Sequence, residues 1–308
     1  MMHNSKLKLL SIQKGKNLAK SSVSLVLRYI LLISVGFVYL FPIIYMLLGS
    51  LLSPGDQADP TVKWLPTVWY FQNYSEAIKT LDFSHSFMRS LIVAVGPAIL
   101  QTAVTAIIGF GFARFSFPLK NLWMVLMVAT FIIPVDVTLV PRYVLYYQYG
   151  MIDTYLPAYL PSLFGQGIKS ALFILVFYQF FRSYPISFDE AAELDGAGKI
   201  RVFLKIAVPM SRPAIVLSLL FSFIWYWNET SQFNLYFGSK LPTLPMQLEQ
   251  FTARYEAIYG AATETSNALS NSTTLAGTAL SIIPVIILFL AFQKQFIESI
   301  ERSGVTGE

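Results

Sequence analysis

Seven ionisable side chains fall in the stretch FDEAAELDGAGKIRVFLKIAVP, Phe188 to Pro209, between two long apolar segments. Within it, GAGK at Gly196 to Lys199 has the small residues and the cation of a phosphate cradle, in which backbone N–H groups and a lysine surround a nucleotide. Such a cradle needs glycine at the position of Glu193 and a hydroxyl residue at the position of Ile200, so the stretch does not build one. Other reactive groups are sparse. There is no cysteine, and the two histidines, His3 and His85, are far apart, which excludes thiolate and imidazole metal centres. No nucleophile lies beside a base and no HExxH pattern occurs, so an intramembrane enzyme is excluded as well.

Local rules give the stretch a shape. Pro185 ends the helix before it, because proline cannot donate to a continuing turn. Ser187 followed by Glu190 is a capping-box pattern and predicts a short helix from Phe188 to about Leu194. Gly196 and Gly198 then allow a tight hinge with positive φ. A second short helix is expected from Lys199 to about Ala207, stopping near Pro209. Its apolar face is Ile200, Phe203 and Leu204, with Lys199, Arg201 and Lys205 toward water and lipid headgroups. Ala191 and Ala192 give the first helix a small-residue face over which another surface can come close. Taken alone, the same residues suit an ordinary capped helix and turn equally well.

The elements that carry this stretch are membrane spans. The chain is 55% hydrophobic and only 13% charged over 308 residues, more apolar surface than one soluble core hides, so a bilayer is its solvent. The net charge of +5 does not point to nucleic acid, because the basic residues flank apolar runs instead of alternating with aromatics on a polar face. A hydrocarbon core about 30 Å thick takes about 20 helical residues to cross. Runs free of charge between Arg28 and Asp56 and between Arg89 and Arg114 predict spans one and two. Asn121 to Leu145 predicts the third, distorted by Pro134 and Pro141 toward its outer end. The fourth is expected at about 165 to 183, with Lys169 snorkelling to the interface or facing a wet cavity. Pro213 to Gln232 and Thr274 to Phe296 predict the fifth and sixth.

Six spans put both termini on one side. Of the 22 lysines and arginines, 15 fall on that side, so the positive-inside rule makes it cytoplasmic. The expected layout is a basic cytoplasmic tail at 1–27, a transmembrane domain at 28–298 containing the charged stretch at 187–209, and a cytoplasmic tail at 299–308. The first apolar run is too long for a signal-peptide core and reads as a retained span. Two outer loops are long. Residues 49–87 predict an ordered cap with one amphipathic helix around Tyr74 to Leu81, and 233–272 a polar segment that suits either a partner-engaging loop or a solvated linker.

The charged stretch resembles a known signature. Glu190-Ala191-Ala192, three residues, Gly196, nine residues, then Ile206-Ala207-Val208-Pro209 matches the EAA motif of binding-protein-dependent ABC importer permeases, with Val208 where leucine is usual. SLIVAVGPAILQTAVTAIIGFGFARFSF at 90–117 and IIPVDVTLVPRYVLYYQYGMIDT at 132–154 resemble the carbohydrate subgroup, and the overall plan is similar to the smaller permease subunit of maltose-type transporters. The resemblance implies an all-α membrane protein of six transmembrane helices with a cytoplasmic coupling helix, the type I ABC importer permease architecture. It implies that Glu190, Ala191, Ala192, Asp195, Gly196, Ala197, Ile206 and Pro209 couple the chain to an ATPase. The implied partners are a homologous second permease, two cytoplasmic ATPase subunits that carry ATP and magnesium, and an external solute-binding protein delivering a saccharide. No cofactor is expected on this chain.

Polar and aromatic residues within the spans are candidates for the substrate path, because they cost energy in lipid unless they face a cavity or each other. They are Gln101, Thr105, Asp136, Lys169, Trp225, Trp227, Asn228 and Glu229. Thr102 and Tyr226 belong to the same set, and interhelical hydrogen bonding or an interfacial aromatic belt are the simpler roles. Lys169 would favour an acidic saccharide if it faces the path. In the family, the loop between spans five and six reaches toward the binding protein, which implies that role for Tyr255, Asn267 and Asn271. The alternative function is an ion-coupled secondary transporter of a small polar solute, for which Asp136 beside Pro134 is the best feature.

Overall fold

The computed structural model describes residues 2–62, 64–260 and 264–304, with side chains described over 24–62, 64–260 and 271–295. All regular elements among them are helical. In chain order they are α1 (Met2–Gly49), α2 (Pro54–Ala58), α3 (Gln72–Thr80), α4 (Phe83–Arg114), α5 (Lys120–Ile132), α6 (Val135–Gln148), α7 (Leu156–Leu163) and α8 (Ser170–Ser183). There follow α9 (Ser187–Leu194), α10 (Lys199–Val202), a π turn (Phe203–Ala207), α11 (Val208–Met210), α12 (Arg212–Asn228), α13 (Ser231–Phe237), α14 (Leu244–Glu249), α15 (Phe251–Tyr259) and α16 (Glu264–Gly304).

Among the described residues, three apolar stretches are long enough to cross a membrane unbroken: Ser24–Gly49, Phe83–Arg114 and Asn271–Gln295. The other three are long enough only as bent helix pairs, α5 with α6, α8 with α9, and Lys199–Met210 with α12. α5 and α6 turn through 96° at Pro134, a break much sharper than the distortion expected from sequence. Its cause is Pro134 itself, which holds extended backbone at ψ 136° and cannot continue the ladder. The fourth span begins at Ser170, not near 165, because Lys169 adopts the left-handed conformation and separates α7 from α8. The fifth ends at Asn228, where Glu229 turns to extended backbone, so α13 is a separate helix.

The chain divides into two compact units. The first holds residues 1–73 and 263–279. Here α1 and the start of α16 approach closely, since a methyl group on Gly49 would come 2.7 Å from Leu275. The loop after α1 is ordered by buried polar bonds. Asn73 Nδ2 donates to the carbonyls of Ser50 and Leu52, both at 2.9 Å. Ser53 and Asp56 form a capping box on α2, and Thr67 donates to the Asp56 carboxylate through both its N–H and its hydroxyl. The hydrogen bond from the Thr67 hydroxyl, more than any other influence, holds the Asp56 carboxyl below the usual carboxylate range.

The second unit holds residues 74–262 and 280–308, and α4 is its centre. α7, α8, α12 and α14 all pack on α4. The sequence allows this because Ser90, Ala94, Ala98, Gln101, Thr105 and Gly109 recur at helical spacing and are all buried. At Gly109 α8 comes close, since a Cβ there would lie 2.6 Å from that of Phe177. The amphipathic helix expected at Tyr74 to Leu81 is α3. The segment 233–260 was expected to be a polar loop; it is instead folded as α13, α14 and α15, anchored by Arg254 Nε donating to the Thr80 carbonyl at 3.0 Å.

Candidate functional site

The charged stretch forms α9, a turn and the broken helix from Lys199 to Met210. α9 starts without the expected capping box: Ile186 is its N-cap, and its carbonyl accepts the N–H groups of Asp189 and Glu190 at 2.9 and 3.1 Å. Pro185 places Ile186 one residue ahead of Ser187, so the Ser187 hydroxyl is already inside the helix and cannot cap it. The end of α9 is as expected. Gly196 takes φ +81°, its N–H donates to the Glu193 carbonyl at 3.0 Å, and the Ala197 N–H donates to the Ala192 carbonyl at 2.9 Å. These two bonds are the Schellman closure, which a glycine at this position makes without strain. Gly198, in contrast, is ordinary extended backbone at φ −69°, so one glycine makes the hinge.

Beyond the hinge the second helix differs from expectation in shape and facing. It widens from α to a π turn at Phe203–Ala207, and its buried face is Val202 and Ala207 with Phe203 and Ile206 packed beside them. Ile200 and Leu204 are not on that face; they are 77% and 56% exposed. The π turn shifts the register so that residues four and five apart, not three and four, share the inner side. Leu194 is 89% exposed next to them. Glu190, Ala191, Asp195 and Pro209 also face outward, whereas Ala192 and Ala197 pack inward against the Phe110 and Phe177 core.

The residue that fixes α9 to the spans was not singled out in the sequence. Asp189 is buried, and its Oδ2 pairs with Arg114 Nε at 2.9 Å while its Oδ1 accepts the Tyr184 hydroxyl at 2.9 Å. Arg114 also donates to the Tyr184 carbonyl at 3.0 Å and lies 4.0 Å over the Tyr184 ring. One cation at the end of α4 thus holds the end of α8 and the first turn of α9 together. The only sequence signal was Arg114 closing a long charge-free run; nothing local ties it to Asp189.

Among the substrate-path candidates, Gln101 and Thr105 are buried and satisfied. Gln101 Nε2 donates to the Ile168 carbonyl at 2.8 Å and to Ser222 Oγ at 3.1 Å, and its Oε1 accepts the Tyr226 hydroxyl at 2.9 Å. Thr105 donates to the Gln101 carbonyl at 2.7 Å. Thr102 meets Ser218 at 3.3 Å. Gln101 and Thr102 thus fasten α4 to α12 and to the turn before α8, whereas Thr105 bonds within α4 itself. Trp227 is also buried, against Phe223 and Phe87. Asn228 is exposed and bonds its own helix at the Ile224 carbonyl, and Asp136 is exposed in the first turn of α6.

Lys169 and Glu229 do come together. Both line a cavity of about 330 Å³ with Thr138, Arg142, Gln166 and Ser170. Lys169 Nζ sits 4.4 Å over the Trp225 ring. Of the binding-protein loop candidates, Tyr255 is corrected by the structure: it is 6% exposed, its hydroxyl donates to Glu76 at 3.0 Å, and it has no free face for a partner. Asn271 is exposed beside a cavity of about 240 Å³ that Asp56 and Trp64 also line, and Asn267 lies outside the residues whose side chains are described.

Residues 103–302 match the family described as binding-protein-dependent transport system inner membrane component. This chain belongs to that family. It is therefore a multi-pass membrane permease, a transport protein and not an enzyme, and the ion-coupled alternative is set aside. Among relatives, it is 27% identical to the diacetylchitobiose uptake system permease protein NgcG of Streptomyces coelicolor, over 90% of this chain and 87% of that one. It is 31% identical to the probable ABC transporter permease protein YurM of Bacillus subtilis, over 88% and 86%. Its fold matches a chain of a solved bacterial ABC transporter for import of the acidic polysaccharide alginate, at TM-score 0.72 and 22% identity, covering 88% of this chain and 95% of that one. The permease fold is the type I importer architecture expected from the EAA spacing.

Proposed function

We propose that this chain is the membrane-spanning permease subunit of an ATP-driven importer that takes up a carbohydrate, and that α9 and the turn after it are where an ATPase subunit grips it. The observation that carries the coupling role is the Arg114–Asp189 pair beneath an exposed rim of Glu190, Ala191, Leu194 and Asp195. A docked helix moves its neighbours only if it is rigidly joined to them. Asp189 makes that joint to α4 and α8, and the π turn joins the other end to α12. Glu190 is free to meet a cation on the ATPase, Gly196 shapes the turn, and Ile206 seats the second helix on the core.

In this reading both termini and α9 are cytoplasmic, a homologous permease completes the translocation pathway, and ATP with magnesium is bound by two separate ATPase subunits. An external solute-binding protein delivers the substrate. The exposed Asn271 remains the candidate contact to it. The carbohydrate class rests on the resemblance at 90–117 and 132–154 and on relatives such as the diacetylchitobiose permease. The test is reconstitution with the partner subunits. Glu190→Lys is expected to insert normally and to abolish ATP-driven uptake; uptake equal to wild type would remove α9 from the coupling path.

A further inference from the structure

Three helix breaks meet at one cavity. Ile133 and Val135 flank the α5–α6 bend, Gly165 to Lys169 separate α7 from α8, and Glu229 ends α12, and all of them line the same space of about 330 Å³. Interrupted backbone at membrane depth is tolerated where it lines a cavity, and freed helix ends are then available to a ligand.

The charges around this cavity do not cancel. Arg142 donates to Thr138 Oγ1 at 3.2 Å and to Gln232 Oε1 at 3.4 Å, and it has no carboxylate partner among the described residues. Lys169 lies over Trp225, again with no carboxylate. The one carboxylate present, Glu229, is occupied by Gln232, whose backbone N–H and Nε2 donate to it at 2.9 and 3.0 Å. Two cations without a carboxylate partner thus line a space whose single anion is already satisfied. A group is also missing a partner. Ser170, in the first turn of the 14-residue α8, is 3% exposed, lines the cavity, and its Oγ makes no hydrogen bond among the described residues. A helix N-terminus with an unused hydroxyl and two unpaired cations is a receptor for negatively charged oxygen.

We propose that this cavity is a binding subsite for the acidic group of an acidic saccharide, held by Arg142, Lys169 and Ser170, and that it selects acidic over neutral sugars. The inference deepens the carbohydrate reading above and rests on it. Tyr226, Phe233 and Tyr236 in the wall supply rings on which a sugar face can stack. The volume falls at the lower end of small-molecule sites, about 300–1,000 Å³, which suits one sugar unit at a time. Gln232 passes the Glu229 charge to Arg142 indirectly, so Glu229 orients the guanidinium without neutralising it.

The test measures equilibrium binding of digalacturonic acid and of neutral galactobiose to the full chain in phosphatidylcholine nanodiscs. Wild type is expected to prefer the acid. Lys169→Gln should lower the acid-to-neutral affinity ratio by about tenfold, the size of one lost charge-assisted contact. Glu229→Gln should raise that ratio. The opposite sign separates the charge effect from any variant that merely misfolds, Arg142→Gln included, since misfolding lowers both affinities together. Equal binding of the two probes by wild type, or a ratio unmoved by Lys169→Gln, overturns the proposal. So does loss of acid binding when phosphatidylglycerol replaces phosphatidylcholine, because the anion held would then be lipid phosphate. None of these outcomes touches ATP-driven uptake of a neutral sugar by the assembled complex, whose failure would instead count against the transport reading.

Discussion

Arg114 Nε lies 2.9 Å from Asp189 Oδ2, so the last residue of the longest unbroken helix in the second unit is ion-paired to the first turn of α9. Both side chains are about nine-tenths covered, and the Tyr184 ring lies on one and its hydroxyl on the other. A pair this well covered behaves as a mechanical joint between a span and the exposed helix. Removing one partner leaves the other charged and unsolvated.

Asp189→Ala should therefore destabilise the purified protein by about 3–5 kcal/mol, the usual cost of breaking a buried ion pair from one side. The double replacement Arg114→Met with Asp189→Leu should recover much of that loss, since a packed apolar pair replaces a desolvated one. Thermal unfolding in detergent reads both. If the double variant is stable but ATP hydrolysis in the complex no longer drives uptake, the pair matters for transmission beyond stability.

The hinge gives a contrast between two glycines two residues apart. Gly196→Ala must hold φ +81° with a Cβ and should cost about 1–2 kcal/mol, although nothing lies within 4 Å of that Cβ. Gly198→Ala, at φ −69° and also in open space, should be neutral or stabilise by about 0.4–1 kcal/mol. Chemical unfolding of the two variants side by side separates backbone strain from crowding.

At Gly109 the limit is crowding instead. A methyl group would sit 2.6 Å from Phe177 Cβ and 3.0 Å from the Tyr178 nitrogen, so Gly109→Ala must push α8 off α4 and should cost about 1–3 kcal/mol. Gly111→Ala on the same helix meets nothing within 4 Å and serves as the control.

Much of this was legible in the sequence and some of it could not be. Gly196, Pro185 and Pro134 act through their own backbone, so their effects follow from residue type alone. The Asp189–Arg114 joint depends on two residues far apart in sequence, and the neighbouring Glu190 drew attention because it belongs to the motif. Ile200, Phe203 and Leu204 read as one apolar face on α-helical spacing; the π turn at Phe203–Ala207 instead puts Val202 and Ala207 on the packed side, and periodicity carries no warning of it. Gln101 and Thr105 were readable as costly polar groups in a span. What Gln101 fastens depends on Ile168, Ser222 and Tyr226 reaching it from other elements, while Thr105 bonds its own helix. Tyr255 belonged to a segment read as a loop by its polarity, but Arg254 and Tyr255 tie it to α3.

Asp56 gives a pH dependence. Its carboxyl is held below the unfolded range chiefly by the Thr67 hydroxyl, so the stability it contributes is complete above the unfolded carboxylate pKa of about 3.9 and is lost as pH falls through the lower folded value. Asp56→Asn should be less stable at pH 7 and should lose less than wild type on acidification. A melting series from pH 7 to acid in detergent checks it; parallel curves for the two proteins would show that the Thr67–Asp56 bond adds nothing.

The most direct measurement is sugar uptake into proteoliposomes holding this chain with its partner permease and ATPase subunits, with a loaded binding protein outside and ATP inside. Uptake is expected to require ATP, to persist when proton and sodium gradients are collapsed, and to vanish with Glu190→Lys while the protein stays inserted. Uptake that continues without ATP and stops when an ion gradient is collapsed would contradict ATP-driven import through this permease.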